Sequence, residues 1–257
     1  MNLEKLYGVH AVLAALEGQQ RRVRKVLVDQ QRRGPAAERI VRLAAQHGIP
    51  VETVAGAQLQ RVLGHGQHQG VVALVAPPEY QTFASVLAHL TATRTPHTVL
   101  LLDGVTDVGN FAALVRSAVA FGVELLILPR HRSVTLTATV ARRSAGAVDR
   151  ISIVQVVNVV QALDDLKRAG FWVYGADMQA DTTVARLRWP ERLVLVLGAE
   201  GRGMRRLVRE RFDALVRVPM QAGVDSLNVA VAGAIILAYV WEWQARVDDL
   251  PDVVREA

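Results

Sequence analysis

Cysteine is absent from the 257 residues, which excludes disulfides, cysteine nucleophiles and thiolate metal sites. Lysine is scarce: Lys5, Lys25 and Lys167 stand alone, so 27 of the 30 basic residues are arginine. A long apolar run is also missing. The most apolar stretch, Val229–Trp241, stops at Glu242 and is short of the roughly 20 residues that a membrane span needs. Met1-Asn2-Leu3-Glu4-Lys5 lacks the basic-then-apolar order of a secretory signal. No Gly-Lys-Ser/Thr phosphate loop, nucleophile elbow or kinase motif occurs. These absences predict a soluble, cytoplasmic protein that works without a cysteine-based or P-loop chemistry.

What is present is an apolar, arginine-rich chain. Hydrophobic residues make up 51 %, enough for a packed core in one large domain or a small one joined to a medium one. The net charge of +6 and pI ≈ 10.3 favour a polyanionic partner. Arginine's planar fork suits phosphate and stacks on bases. GC-rich codon usage accounts for the arginines equally well, so charge alone gives only weak support for nucleic acid.

Residues 7–16 read as a helix, 25–28 as a short buried strand and 36–46 as an amphipathic helix. His47-Gly48-Ile49-Pro50 is a helix stop. Strands over 51–54 and 70–76 then flank a helix over 57–63, which makes a compact α/β unit ending at Pro77-Pro78. Residues 78–97 read as a linker containing one helical run, Phe83–Leu90. Beyond it, strands are expected at 98–102, 124–128, 151–154, 172–175, 193–197 and 214–218, with helices between most of them and a last long helix over about 227–246. Several strands are continuous apolar runs, the mark of parallel strands covered on both faces.

Ligands in open α/β sheets bind beyond the carboxyl ends of strands, and three such ends carry unusual residues. The first is Leu101-Leu102-Asp103-Gly104-Val105-Thr106-Asp107-Val108-Gly109-Asn110, followed by a helix with an apolar stripe of Phe111, Leu114, Val115, Ala118 and Val119. Asn110 stands where a helix cap is expected, and Arg116 lies off the stripe beside small residues, able to reach an anion. An ordinary cap and a solvated arginine explain this pattern better than a site does. The second is Leu197-Gly198-Ala199-Glu200-Gly201-Arg202-Gly203-Met204, where the glycines allow close backbone approach. Glu200 is a poor structural choice there, which favours a site role. The third is Val218-Pro219-Met220, a polar turn, and Ser226-Leu227-Asn228 opening the final helix, where capping alone also accounts for Ser or Asn. That helix has no clean polar face over Val229–Trp241, so it should be buried all round, and a partner subunit is its natural cover. In His65-Gly66-Gln67-His68, a loop histidine pair is a better reading than a metal site.

Together these three stretches, with Arg116-Ser117-Ala118 and Val229-Ala230-Val231-Ala232, resemble the motifs of the SpoU (TrmH-like) branch of the SPOUT methyltransferases. Tyr7-Gly8-Val9-His10-Ala11-Val12 and His68-Gln69-Gly70-Val71-Val72-Ala73 resemble markers of that branch's small, ribosomal-protein-like substrate-binding domain. The likeness covers nearly the whole chain and is strongest to the subgroup that methylates guanosine riboses of large-subunit ribosomal RNA.

The resemblance implies an α/β fold. Residues 1–77 would form an RNA substrate-binding domain, 78–97 a linker, and 98–257 a methyltransferase domain holding a deep trefoil knot. It implies a homodimer, RNA as partner, and S-adenosylmethionine as methyl donor without a metal. By the same resemblance Gly198, Val218 and Leu227 hold the donor by backbone groups, with Met220 nearby. Asn110, Arg116, Glu200, Ser226 and Asn228 become the catalytic set, in which Arg116 grips the phosphate–ribose unit and Glu200 orients it. Two positions depart from the family: Val108 replaces a usual proline and Ala112 a common glycine, changes that tune the first loop. Competing readings are transfer RNA or an antibiotic-site ribosomal nucleotide as substrate, a non-catalytic ribosome-assembly factor on the same fold, and, distantly, a nicotinamide oxidoreductase.

Overall fold

The computed structural model describes residues 3–18, 21–64, 67–93, 96–199, 201 and 203–248. In chain order the elements begin β1 (Glu4–Tyr7), α1 (Val9–Glu17), β2 (Val23–Asp29), α2 (Pro35–Gln46), β3 (Val51–Val54), α3 (Gly56–Leu63) and β4 (Val71–Val75). They continue with α4 (Phe83–Ala92), β5 (His97–Asp103), α5 (Val108–Ala120), β6 (Leu125–Pro129), α6 (Ala138–Arg143), β7 (Ser152–Val156), α7 (Val159–Arg168) and β8 (Trp172–Ala176). Last come β9 (Arg192–Gly198), α8 (Arg206–Arg209), β10 (Ala214–Val216) and α9 (Val229–Asp248). Contacts group these into two compact units, residues 1–80 with 135–151, and residues 81–134 with 152–257.

The first unit is built on a four-stranded sheet in the order β1-β4-β2-β3, antiparallel except for the β2–β3 pair. Its first strand replaces the opening turn of the expected helix. Gly8 takes φ 93°, a backbone turn that ends β1 and lets α1 start at Val9. Leu27, Val54, Leu59 and Val72 form a core on one face of this sheet.

The segment Thr135–Ile151, which no sequence pattern singled out, packs into this unit. Gly146 is at φ 83°, and a β-carbon there would come within 2.2 Å of the Ala14 Cβ, so the segment touches α1 backbone to backbone. Arg21 fastens it: its Nε donates to Asp149 Oδ1 at 2.9 Å and an Nη to the Thr137 carbonyl at 3.1 Å. Both side chains of the ion pair are almost fully buried, and Asp149 Oδ2 has no hydrogen-bond partner among the described residues. Burial pushes the Asp149 carboxyl up to about 6, against the opposing pull of Arg21.

Because that folded value lies above the unfolded one of 3.8, the folded state binds more protons in between, and this carboxyl's contribution to stability is lost as pH rises from about 3.8 through about 6. Urea unfolding at pH 4.5 and pH 7.5 should therefore show a stability loss in the native chain that Asp149→Asn lacks. Equal pH dependence in the two proteins would contradict the assignment.

The second unit holds a six-stranded sheet in the order β10-β8-β9-β5-β6-β7, every pair parallel. β5 and β6 are buried along their whole length, as the continuous apolar runs required. Helices α4 and α7 cover one face through Val86, Leu90, Leu163 and Leu166. Helix α9 lies against α5 and β9, so near that a β-carbon at Gly233 would approach Leu114 at 2.5 Å and Leu197 at 2.6 Å.

In the single chain α9 is not buried all round, contrary to expectation. It buries Ala230, Ile236, Leu237 and Val240 but leaves Val231 48 %, Tyr239 37 % and Trp241 51 % exposed. The apolar pattern encodes two faces, and this chain covers one of them.

Candidate active site

The parallel sheet brings the carboxyl ends of β5, β8 and β9 to one edge. β5 ends in Asp103, only 2 % exposed, whose carboxylate accepts from the Arg205 backbone N–H at 3.0 Å and from Arg205 Nε at 2.7 Å. This charge-assisted pair ties the chain after β9 to the end of β5. Asp103 belongs to the first strand-end stretch, but nothing in its spacing marks Arg205, 102 residues on, as its partner.

The loop after β9 closes on itself. Ala199 and Gly203 exchange two backbone hydrogen bonds, of 3.1 and 2.9 Å. A β-carbon on Gly198 would lie 2.5 Å from the Gly203 carbonyl carbon and 2.7 Å from Met204 Cγ, so only glycine fits. Glu200, expected to orient Arg116, lies outside the described residues, as do Arg202 and His65. His68 spends its Nδ1 accepting from the Gly70 N–H at 3.0 Å.

The expected capping role of Asn110 is corrected. α5 starts at Val108, and Asp107 caps it, its carboxylate accepting from the Asn110 N–H at 2.7 Å. Asp outranks a residue three places into the helix because its oxygen reaches back to the free N–H groups of the first turn. Asn110 is thereby free of capping duty, and its side chain turns to another loop.

That loop is the start of α9. Asn228 Oδ1 accepts from the Ala230 and Val231 N–H groups at 2.9 and 3.3 Å, the capping expected for this position. With its oxygen so used, Nδ2 donates to Asn110 Oδ1 at 2.8 Å. Two side chains 118 residues apart in sequence thus join the first and third strand-end loops.

Beside this link opens a cleft of about 890 Å³. Gly198, Val218, Ser226, Leu227 and Asn228, five of the residues singled out from sequence, all line it. Met220 and Ile236 add apolar wall. Asp177, just past β8, accepts from the Gln179 N–H at 2.9 Å and pairs with Arg209, and both members of that pair face the cleft. The strand-end rule applied to β8 would have found Asp177. Arg116 does not line the cleft. It is exposed on α5 and makes no hydrogen bond or ion pair among the described residues.

Residues 97–238 match the SpoU rRNA Methylase family, and residues 5–81 match the family described as RNA 2'-O ribose methyltransferase substrate binding. The chain is 40 % identical over 235 residues to the Pseudomonas putida 23S rRNA (guanosine-2'-O-)-methyltransferase RlmB, covering 91 % of this chain and 94 % of that one. The protein of the same name from Pseudomonas aeruginosa is 41 % identical over 237 residues, with 91 % and 94 % covered. In fold, the chain is similar to the SpoU methyltransferase AviRb of Streptomyces viridochromogenes, solved in complex with AdoMet, at a TM-score of 0.76 and 24 % identity over 94 % of this chain and 90 % of that one. Matched by both families in order, and by relatives along nine-tenths of its length, this chain belongs to the SpoU rRNA methylase family.

Proposed function

We propose that the chain transfers a methyl group from S-adenosylmethionine to the 2′-hydroxyl of a guanosine in 23S ribosomal RNA. The observation that carries this reading is the Asn228–Asn110 hydrogen bond of 2.8 Å at the cleft, which joins separate family motifs in one place. The names of the Pseudomonas relatives, at 40 and 41 % identity, support the RNA and the nucleotide.

The residues present fit the donor. The cleft is within the size range of small-ligand sites, roughly 300–1,000 Å³. Gly198 leaves its backbone bare, Val218, Leu227 and Ile236 offer apolar surface, and Asp177 offers an acceptor. Gly198, Val218 and Leu227 would hold the donor through their backbone groups. When bound, the donor supplies a sulfonium methyl, a good electrophile.

The chain's own task is to place a poor nucleophile in line with that methyl and to help remove its proton. Arg116 grips the phosphate–ribose unit of the target nucleotide and steadies the developing alkoxide. A guanidinium does not give up its proton in a protein, so a phosphate oxygen or water takes the proton. Glu200 orients Arg116. Asn110, Ser226 and Asn228 fix the loops and the nucleotide.

Residues 1–77, with Thr135–Ile151 packed into the same unit, would bind the RNA; 78–97, whose helix α4 packs on the larger sheet, would connect; and the rest of 98–257 would form the methyltransferase domain with its trefoil knot. The knot is proposed on the family resemblance alone. The exposed apolar side of α9 supports a homodimer. Trp241→Glu should then halve the mass measured by light scattering, and an unchanged mass would argue against that face. Among the described residues no helix is long and apolar enough to cross a membrane, and ribosomal RNA as substrate supports a cytoplasmic location.

Mapping of 2′-O-methylated riboses in total RNA tests the activity. A deletion strain should lose one guanosine methylation in 23S ribosomal RNA and regain it with the native gene. Loss at a transfer-RNA site, or no loss at all, would overturn the substrate assignment.

A further inference from the structure

The first compact unit contains a second cavity, of about 460 Å³, with no part in the methyl-transfer cleft. Tyr7 at the end of β1, His10 in the first turn of α1, Gln67 and Gln69 ahead of β4, and Arg142 at the end of α6 supply its side chains. None of the lining residues is acidic.

Arg142 is placed with care. Its guanidinium carbon stands 4.9 Å from the centroid of the Tyr7 ring, and among the described residues it makes no ion pair. The ring quadrupole attracts the cation at this distance without using its N–H groups as hydrogen-bond donors, which leaves those donors available. Gln69 has φ 49°, an uncommon backbone for a residue with a side chain. Its Oε1 accepts from the Val9 N–H at 3.1 Å, while its amide donors are unused among the described residues. A residue in the left-handed region, a guanidinium at cation–π distance and an aromatic ring around one cavity indicate a binding position rather than a packing defect.

We infer that this cavity binds one unpaired nucleotide of the RNA substrate, distinct from the nucleotide that is methylated. The inference rests on the RNA reading above. Planar guanidinium and amide donors, an aromatic ring and the absence of carboxylates match an anionic ligand with a flat heterocycle. Proteins read single-stranded RNA by stacking splayed bases on aromatic or arginine planes and bonding their edges with amides. A base inside a duplex cannot enter, so the cavity selects a bulge or loop. The guanidinium face of Arg142 takes the base, and its edge, with the Gln69 amide, takes ribose or phosphate.

The cavity also gives the Thr135–Ile151 segment a role. Tyr7, His10 and Gln69 lie in the range matching the substrate-binding family, while Arg142 lies in the range matching the methylase family. Substrate reading by the first unit therefore needs a segment borrowed from the second family's sequence.

Fluorescence anisotropy with the full chain tests this, using hairpin RNAs that differ only in one bulged nucleotide, each of the four bases in turn. A fully paired hairpin is the control. The native chain should bind at least one bulged hairpin about 10-fold or more tightly than the paired one, the scale of one stacked base. Arg142→Ala should reduce that preference to within about twofold, and His10→Ala should weaken it, with affinity for the paired hairpin nearly constant. A bulged 4-thiouridine should crosslink to peptides holding Tyr7–Ala11 or Arg142–Ala145. Equal binding of all hairpins, an equal loss on both kinds in Arg142→Ala, or crosslinks confined to other peptides would overturn the proposal. A native chain that methylates ribosomal RNA yet ignores the bulge sinks the cavity alone. A chain that methylates no RNA sinks the reading beneath it.

Discussion

Replacing Arg116 with alanine should lower the single-turnover rate of methyl transfer by about 10²–10⁴-fold, the usual weight of a positioned group that manages a proton and its charge. Donor affinity should stay within about twofold, because Arg116 does not line the cleft proposed to hold the donor. Stability should also hold, within roughly 0.5 kcal/mol, since the side chain is exposed and has no ion pair among the described residues. The combination is diagnostic: rate lost, donor binding and folding kept. Arg116→Lys keeps the charge but loses the planar, two-pronged grip on a phosphate, so it should recover only a minor part of the rate. Near-normal transfer by Arg116→Ala would remove the residue from the mechanism and leave Asn110 and Asn228 to hold the ribose.

Gly198→Val should have the opposite signature. A β-carbon at this position falls 2.5 Å from the Gly203 carbonyl carbon and 2.7 Å from Met204 Cγ, and two further methyl groups add to the crowding. The reciprocal Ala199–Gly203 hydrogen bonds, 3.1 and 2.9 Å long, must open to make room. Overpacking of this kind costs about 1–3 kcal/mol. Spent on the loop proposed to cradle the donor, it corresponds to roughly 5- to 150-fold weaker donor binding. Calorimetry with S-adenosylmethionine measures it directly, and a native-like dissociation constant would mean that the donor lies elsewhere.

The two predictions separate because the proposed site has two parts with different physics. One is a backbone cradle, made by a glycine that tolerates no substituent and a helix opened by Asn228. The other is a charged side chain reaching outward from α5. The first part depends on shape and the second on charge, so salt should weaken RNA binding through Arg116 while leaving the cradle's hold on the donor less affected.

Much of the larger unit was legible because parallel strands buried on both faces read as unbroken apolar runs. Leu100, Leu101 and Leu102 of β5 are all 0 % exposed, and the predicted strand at 98–102 differs from the observed one by a residue at each end. The loops beyond those strands were legible as well, for Gly198, Ser226, Leu227 and Asn228 do share a cleft. What escaped reading was long-range or local in a way that periodicity does not see. β1 is four residues long and depends on its pairing with β4, so a helical pattern from Tyr7 onward hid it. Asp107 and Asn110 are both good caps, and choosing between them required knowing that Asn110 bonds to a residue 118 positions away. The Arg21–Asp149 and Asp103–Arg205 pairs span 128 and 102 residues, and their members look like ordinary surface charges until the fold buries one carboxylate of each. The final helix was apolar on two sides, a property that a sequence displays without saying which side the same chain will cover.

A crystal structure of the protein with S-adenosylhomocysteine, the spent donor, tests the central claim most directly. The ligand should occupy the 890 Å³ cleft, bonded to backbone groups of Gly198, Val218 and Leu227, with its sulfur turned toward the linked Asn110 and Asn228 side chains. Ligand bound anywhere else, or a sulfur facing away from both asparagines, would contradict the account.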